Sequence, residues 1–103
     1  MSFGKLLTRL RKEKDVGIRK FGPAIGVNYT YISKIENDKS TPSVKLIKRI
    51  ADYFDCDEDM LMIAAGRIPE KAMKVIQEHP EEVLAFLRSK AQDESESSDR
   101  SLH

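Results

Sequence analysis

The chain has 103 residues, enough for one small domain with a short appendage and too few for an enzyme built around a deep cleft between two domains. Its single cysteine excludes an internal disulfide and leaves a cysteine-based zinc site without ligands. No apolar run approaches the roughly 18 residues of a membrane helix, and the N-terminus carries no signal-peptide core. These features predict a cytoplasmic protein that holds no metal or cofactor.

The charged side chains are distributed unequally along the chain. Residues 1–50 contain 12 Lys and Arg against 4 Asp and Glu, whereas residues 51–103 contain 6 against 13. This asymmetry indicates a first half that binds a polyanion and a second half with another role. Two solvated surfaces that merely differ in charge would give the same counts.

The first helix is predicted from an apolar stripe at helical spacing. Ser2 is a suitable N-cap, and Gly17 is expected just past the end of the helix. The stripe itself consists of Phe3, Leu6, Leu7 and Leu10, at positions i, i+3, i+4 and i+7.

Two short helices follow. The first contains Ile18, Phe21 and Ile25 at helical spacing, and Gly26 closes it as a residue able to adopt a positive φ. The second begins after Asn28, which is a good N-cap, and continues to Glu36.

Four further helices are predicted beyond a polar turn at residues 37–42. Ser43 caps the fourth helix, and Asp57 caps the fifth, which ends at Gly66. Pro69 opens the sixth, and Pro80 starts a seventh that runs to Arg88. Residues 89–103 have almost no apolar side chain to bury and are expected to be disordered.

The second and third helices have the properties of a helix-turn-helix motif. Gly26 suits the turn, and Gly22 is small enough to let the two helices approach closely. Ile32 and Ile35 give the third helix a face to bury. Its other side leaves four polar side chains free to enter a major groove: Tyr29, Thr30, Ser33 and Lys34.

From about Leu6 to Leu61 the sequence resembles the helix-turn-helix domain shared by Cro and the lambdoid phage repressors, the XRE family. The most specific segments are 31–39, 41–43 and 46–54. The resemblance implies an all-α fold, with a five-helix lambda-repressor-like DNA-binding domain in residues 1–66. Residues 67–88 then form two additional C-terminal helices. The implied function is a DNA-binding transcriptional regulator, a repressor that binds a palindromic operator as a homodimer.

The resemblance also assigns roles to individual residues. Base contacts fall on Tyr29, Thr30, Ser33 and Lys34, and Arg11 with Glu36 matches a structural pair between the first and third helices. Contacts to the DNA backbone fall on Asn37, Lys39 and Ser43, and we expect Arg19, Lys20 and Asn28 to contribute further backbone contacts.

The sequence departs from the family pattern in three respects. Gly17 and Ile18 stand where the family usually has Ser and Gln, which removes a helix cap and a phosphate contact. Arg19 and Lys20 follow where acidic residues are common, and they add cationic charge instead. Pro23 removes a backbone hydrogen bond, so the second helix is expected to be short or distorted.

The helices of residues 67–88 are not required by the DNA-binding domain. They are expected to mediate dimerisation. An alternative is an antitoxin or interaction module in which they bind a toxin, peptidase or polymerase, with DNA binding secondary. An enzyme is not indicated, because the sequence has no phosphate-binding glycine loop and no nucleophile with an evident base. The predicted dimer residues are Val75, Ile76, Val83, Leu84 and Leu87.

Overall fold

A computed structural model describes residues 2–101, and it describes the side chains of residues 2–93. Within these residues all of the regular secondary structure is helical and no β-strand is present, which confirms the all-α fold. The chain forms two compact units, the first ending at Pro69 and the second beginning at Glu70. The seven helices are α1 (Phe3–Glu13), α2 (Ile18–Ala24), α3 (Tyr29–Glu36), α4 (Val44–Phe54), α5 (Glu58–Ala64), α6 (Glu70–Glu78) and α7 (Pro80–Ser101).

Four helices begin at the capping residues that the sequence predicts. In each, a side-chain oxygen accepts a hydrogen bond of 2.9–3.2 Å from a backbone N–H in the first turn. Gly17 precedes α2 and supplies no side-chain cap, as its residue type predicts. The four capping residues are Ser2, Asn28, Ser43 and Asp57.

All five helices of the first unit end in the same turn, in which one residue adopts a left-handed conformation. Gly26 and Gly66 have φ of 81° and 78°, so both predicted glycine stops are confirmed. Gly17, which is expected just past the end of α1, lies four residues after its last residue, and Asp15 makes the turn instead. Aspartate tolerates this conformation better than most residues. The three aspartates at such positions are Asp15, Asp38 and Asp55, with φ of 52–57°.

The core of the first unit is formed by one face of each of its helices. The ring of Phe21 is fully buried and packs against Tyr53 and Phe54, with ring centroids 5.2 Å apart in both pairs. Cys56 packs against this core, and burial raises the pKa of its thiol. The other large, fully buried side chains are Leu7, Ile32, Ile35, Pro42, Ile47 and Ile50.

A nearly buried ion pair joins α1 to the end of α3. The guanidinium of Arg11 donates from Nε and Nη2 to the two carboxylate oxygens of Glu36, at 2.8 and 3.0 Å. The side chains are only 15% and 9% exposed. Nη1 of Arg11 also donates to the carbonyl of Val16, and Thr8 donates to Glu36. The hydrogen bond to Glu36 raises the pKa of Arg11, and the structural pair predicted from the sequence is confirmed.

The second unit consists of α6 and α7, which confirms the two additional helices. Pro80 is the first residue of α7, as predicted. The sequence predicts a disordered tail from residue 89, whereas α7 continues to Ser101. After Pro80 the helix contains no further Pro and no Gly, and Glu, Lys, Ala and Gln favour helix even where they bury nothing. Residues 102 and 103 lie outside the described residues.

No helix in the described part of the chain is long and apolar enough to cross a membrane.

Removal of Glu36 is expected to be costly, because it leaves the Arg11 guanidinium without its anionic partner. We predict that Glu36→Ala lowers the free energy of unfolding by about 3 kcal/mol in urea titrations. The control is Arg9→Ala, which breaks an exposed pair with Glu13 (N–O distance 3.6 Å) and is expected to cost about 0–1 kcal/mol. Equal losses in the two variants would contradict a structural role for the buried pair.

Candidate nucleic-acid interface

The close contact between α2 and α3 depends on Gly22. A Cβ atom added at this position would lie 2.9 Å from the backbone nitrogen of Tyr29 and 2.9 Å from the carbonyl oxygen of Val27. Only glycine fits this contact without movement of backbone atoms, as the sequence analysis expects. Pro23 lies inside α2, which has only seven residues and is therefore short, as predicted.

The two sides of α3 differ in burial. Ile32 and Ile35 are completely buried and hold the helix against the core. The predicted base-contact residues lie on its accessible side: Tyr29, Thr30 and Lys34 are exposed, and Ser33 is half-buried. A surface of this kind can enter a groove without any loss of core contacts.

At the start of α3, Arg19, a predicted contact to the DNA backbone, lies next to Tyr29, a predicted base contact. The guanidinium of Arg19, on α2, lies 5.4 Å from the centroid of the Tyr29 ring, within cation–π range. Asn28 uses its side-chain oxygen to accept from both the N–H and the hydroxyl of Thr30, each at 3.0 Å. The amide group of Asn28 therefore still has hydrogens to donate. Lys20 is exposed on α2.

The remaining predicted backbone contacts lie in and beside the loop that joins α3 to α4, residues 37–43, which we call the α3–α4 loop. The side-chain amide of Asn37 donates to the carbonyl of Ser33 at 2.8 Å, so one of its two hydrogens is used in the last turn of α3. The oxygen of Ser43 accepts from the N–H of Leu46, which leaves its hydroxyl hydrogen available. Lys39 is exposed.

The two acidic side chains next to these cations both accept hydrogen bonds from the protein; Glu36 is shielded from water, whereas Asp38 is exposed. Glu36 is bound by Arg11, and the carboxylate of Asp38 accepts from the N–H of Gly4 at 3.1 Å. Carboxylates used in this way repel an approaching phosphate less than solvated ones, because bound donors offset their charge. The exposed charges of this region on α2, α3 and the α3–α4 loop are four cations, Arg19, Lys20, Lys34 and Lys39, and one anion, Asp38.

The close approach of Gly4, on α1, to the backbone at the end of α3 is not predicted from the sequence. A Cβ atom at Gly4 would lie 2.5 Å from the carbonyl oxygen of Glu36 and 2.6 Å from that of Ile35. The sequence signal for this contact is a glycine in the first turn of a helix whose other residues are mostly good helix formers. Gly22 and Gly4 thus fix the two ends of α3.

The predicted dimer residues lie on α6 and α7. Val75, Leu84 and Leu87 are 53%, 44% and 53% exposed, while Ile76 and Val83 are half-buried. The sequence analysis overlooks two further exposed apolar side chains of these helices, Met73 and Phe86.

A short helix, a glycine turn and a second helix with a polar accessible side define a DNA-binding protein of the helix-turn-helix class. Residues 7–61 match a family model described as helix-turn-helix. The chain belongs to this family, in its Cro and lambdoid-repressor (XRE) branch, and is a DNA-binding transcriptional regulator.

Two relatives share most of this region. The "ImmF control region 10 kDa protein" of Bacillus phage phi105 is 34% identical over 68 residues, which cover 66% of this chain and 76% of the phage protein. The "HTH-type transcriptional repressor RghR" of Bacillus subtilis (strain 168) is 36% identical over 70 residues. These cover 67% of this chain and 52% of the repressor, so the similarity spans about half of that protein.

The contact at Gly22 gives a direct test of the motif. We predict that Gly22→Ala lowers the free energy of unfolding by about 1–3 kcal/mol, because the added methyl group forces α2 and α3 apart. DNA affinity, measured by fluorescence anisotropy, should fall with it. The control is Gly17→Ser, at a position where an added Cβ has no neighbour within 4 Å. It should leave stability unchanged or raise it by about a few tenths of a kcal/mol through a new cap. An unchanged stability of Gly22→Ala would contradict the contact.

Proposed function

We propose that this protein is a transcriptional repressor that binds a palindromic operator as a homodimer. The observation that carries the proposal is the accessible side of α3, where four polar or aromatic side chains stand above a buried apolar face. A helix with these properties fits the major groove of B-DNA. The names of the two relatives, a control-region protein and a transcriptional repressor, support the same role.

In this proposal α3 reads the base edges. Lys34 donates to O6 and N7 of a guanine, and Thr30 presents a methyl group to a thymine methyl. Tyr29 and Ser33 complete the base contacts. Tyr29 stacks near Arg19, so its ring is held in place at the point where α3 enters the groove.

The flanking residues hold the sugar-phosphate backbone and fix the register of α3. Arg19 and Lys20 act from α2, and Asn28 acts from the start of α3. Asn37, Lys39 and Ser43 act from the α3–α4 loop. The cationic contacts among them supply affinity that depends on salt, and none of these backbone contacts carries sequence information directly.

The apolar side chains of α6 and α7 form the dimer interface in this proposal. A surface that exposes Val75, Leu84 and Leu87 is stabilised when a second copy covers it. Two-fold symmetry then places the two α3 helices on half-sites about 10–10.5 base pairs apart. A dimer of this size represses by occupying the promoter.

Replacement of Lys34 tests whether its side chain recognises a particular base or only attracts the phosphates. The preferred operator is first selected from random DNA with the unaltered chain. We predict that Lys34→Ala then loses discrimination at one position of each half-site, by about 1–3 kcal/mol across single-base variants. The charge-matched control is Lys74→Ala, on α6, which should keep the wild-type preference. A uniform loss at every position would assign Lys34 to a phosphate instead.

The dimer interface is tested in the full chain. We predict that Val75→Asp combined with Leu84→Asp converts a dimer into a monomer in sedimentation equilibrium, because each change places a charge in an apolar interface. The control is Gln77→Asp, which adds a charge at an exposed polar position of α6. A dimer that survives the double replacement would place the interface elsewhere.

A further inference from the structure

The α3–α4 loop is held by a residue outside the segment that matches the family model. Arg67 follows α5, and its Nε and Nη2 atoms both donate to the carbonyl oxygen of Pro42, at 3.3 and 3.1 Å. Pro42 is fully buried, and it is the residue directly before the N-cap of α4. The contact therefore joins the end of the first unit to the loop that carries Lys39 and Ser43.

The backbone of Arg67 is fixed independently of this contact. Gly66 adopts a φ of 78°, and the N–H of Arg67 donates to the carbonyl of Met62 at 2.8 Å. The N–H of Gly66 donates to the carbonyl of Ile63 at 2.9 Å, which completes a Schellman turn at the end of α5. The Arg67 side chain thus extends from a backbone turn that is fixed by its own hydrogen bonds.

The bond to Pro42 determines the direction of the backbone N–H that follows. The carbonyl of Pro42 and the N–H of Ser43 belong to one planar trans peptide and point in opposite directions. With the carbonyl held by Arg67, the Ser43 N–H is turned away from it, at the start of α4. Ser43 caps the N–H of Leu46, and the N–H groups of Val44 and Lys45 have no partner inside the helix.

We infer that Arg67 is a positioning residue for DNA backbone binding. It holds the Pro42–Ser43 peptide so that the hydroxyl of Ser43 and the first N–H groups of α4 meet a phosphate. Arg67 itself does not contact the DNA. This inference rests on the proposed function, because it concerns how the α3–α4 loop grips the operator.

The experiment compares Arg67→Ala and Arg67→Lys with the unaltered full chain on the selected operator, at several salt concentrations. Lysine keeps the charge but cannot donate from two nitrogens to one carbonyl oxygen. We expect both variants to bind about tenfold more weakly, as for loss of a hydrogen bond to a charged group. The slope of log affinity against log salt should not change, since no cation that neutralises phosphate is lost. Base preference should also stay the same.

Two controls make the result specific. Arg9→Ala removes the same charge from an exposed arginine and should leave the affinity near that of the unaltered chain. Circular dichroism at the binding temperature checks that each variant is folded. If Arg67→Ala is unfolded, the comparison with the unaltered chain uses Arg67→Lys. Amide NMR shifts of Val44 and Lys45 on addition of operator DNA should be large in the unaltered chain and reduced in both variants.

Several outcomes would overturn the inference. Full recovery of affinity in Arg67→Lys, or a salt slope lower by about one in Arg67→Ala, would make Arg67 a direct phosphate contact. Wild-type affinity in both variants would leave it no role in DNA binding. Failure of the unaltered chain to bind any DNA would instead refute the proposed function, and the inference with it.

Discussion

The position of α3 depends on the ion pair between Arg11 and Glu36. This pair joins the first helix to the last residue of the helix that is proposed to enter the groove, and both partners are mostly shielded from water. Arg11 also binds the carbonyl of Val16, so one guanidinium ties together α1, the α1–α2 turn and α3. The buried Ile32 and Ile35 supply the hydrophobic stabilisation, while the ion pair fixes where the helix ends.

The same bonds shape the electrostatic surface. Glu36 and Asp38 belong to the segment that is proposed to face DNA, yet their carboxylates are bound by Arg11 and by the N–H of Gly4. Lys34 and Lys39 remain exposed beside them. The ion pair with Arg11 therefore has two effects, because it fixes the end of α3 and offsets the charge of Glu36, which would otherwise oppose the approach of a phosphate.

The parts of the fold that follow from local chemistry could be predicted from the sequence. Ser2, Asn28, Ser43 and Asp57 are residue types that cap helices, and the glycine turns demand a positive φ that few other residues tolerate. The aspartate turns were missed because aspartate occurs in many other settings.

Two contacts between distant segments could not be predicted, since spacing along one helix says nothing about what another segment brings to it. The bond from Arg67 to Pro42 and the approach of Gly4 to Glu36 are of this kind. Three kinds of interaction hold α3 in place: its buried side chains, its two glycine contacts and its ion pair. All of them involve the inner side or the ends of the helix. The outward side chains can therefore be exchanged for others with little penalty in folding. Such a scaffold can acquire a new target sequence through a few substitutions, and a designer could redirect it by the same route.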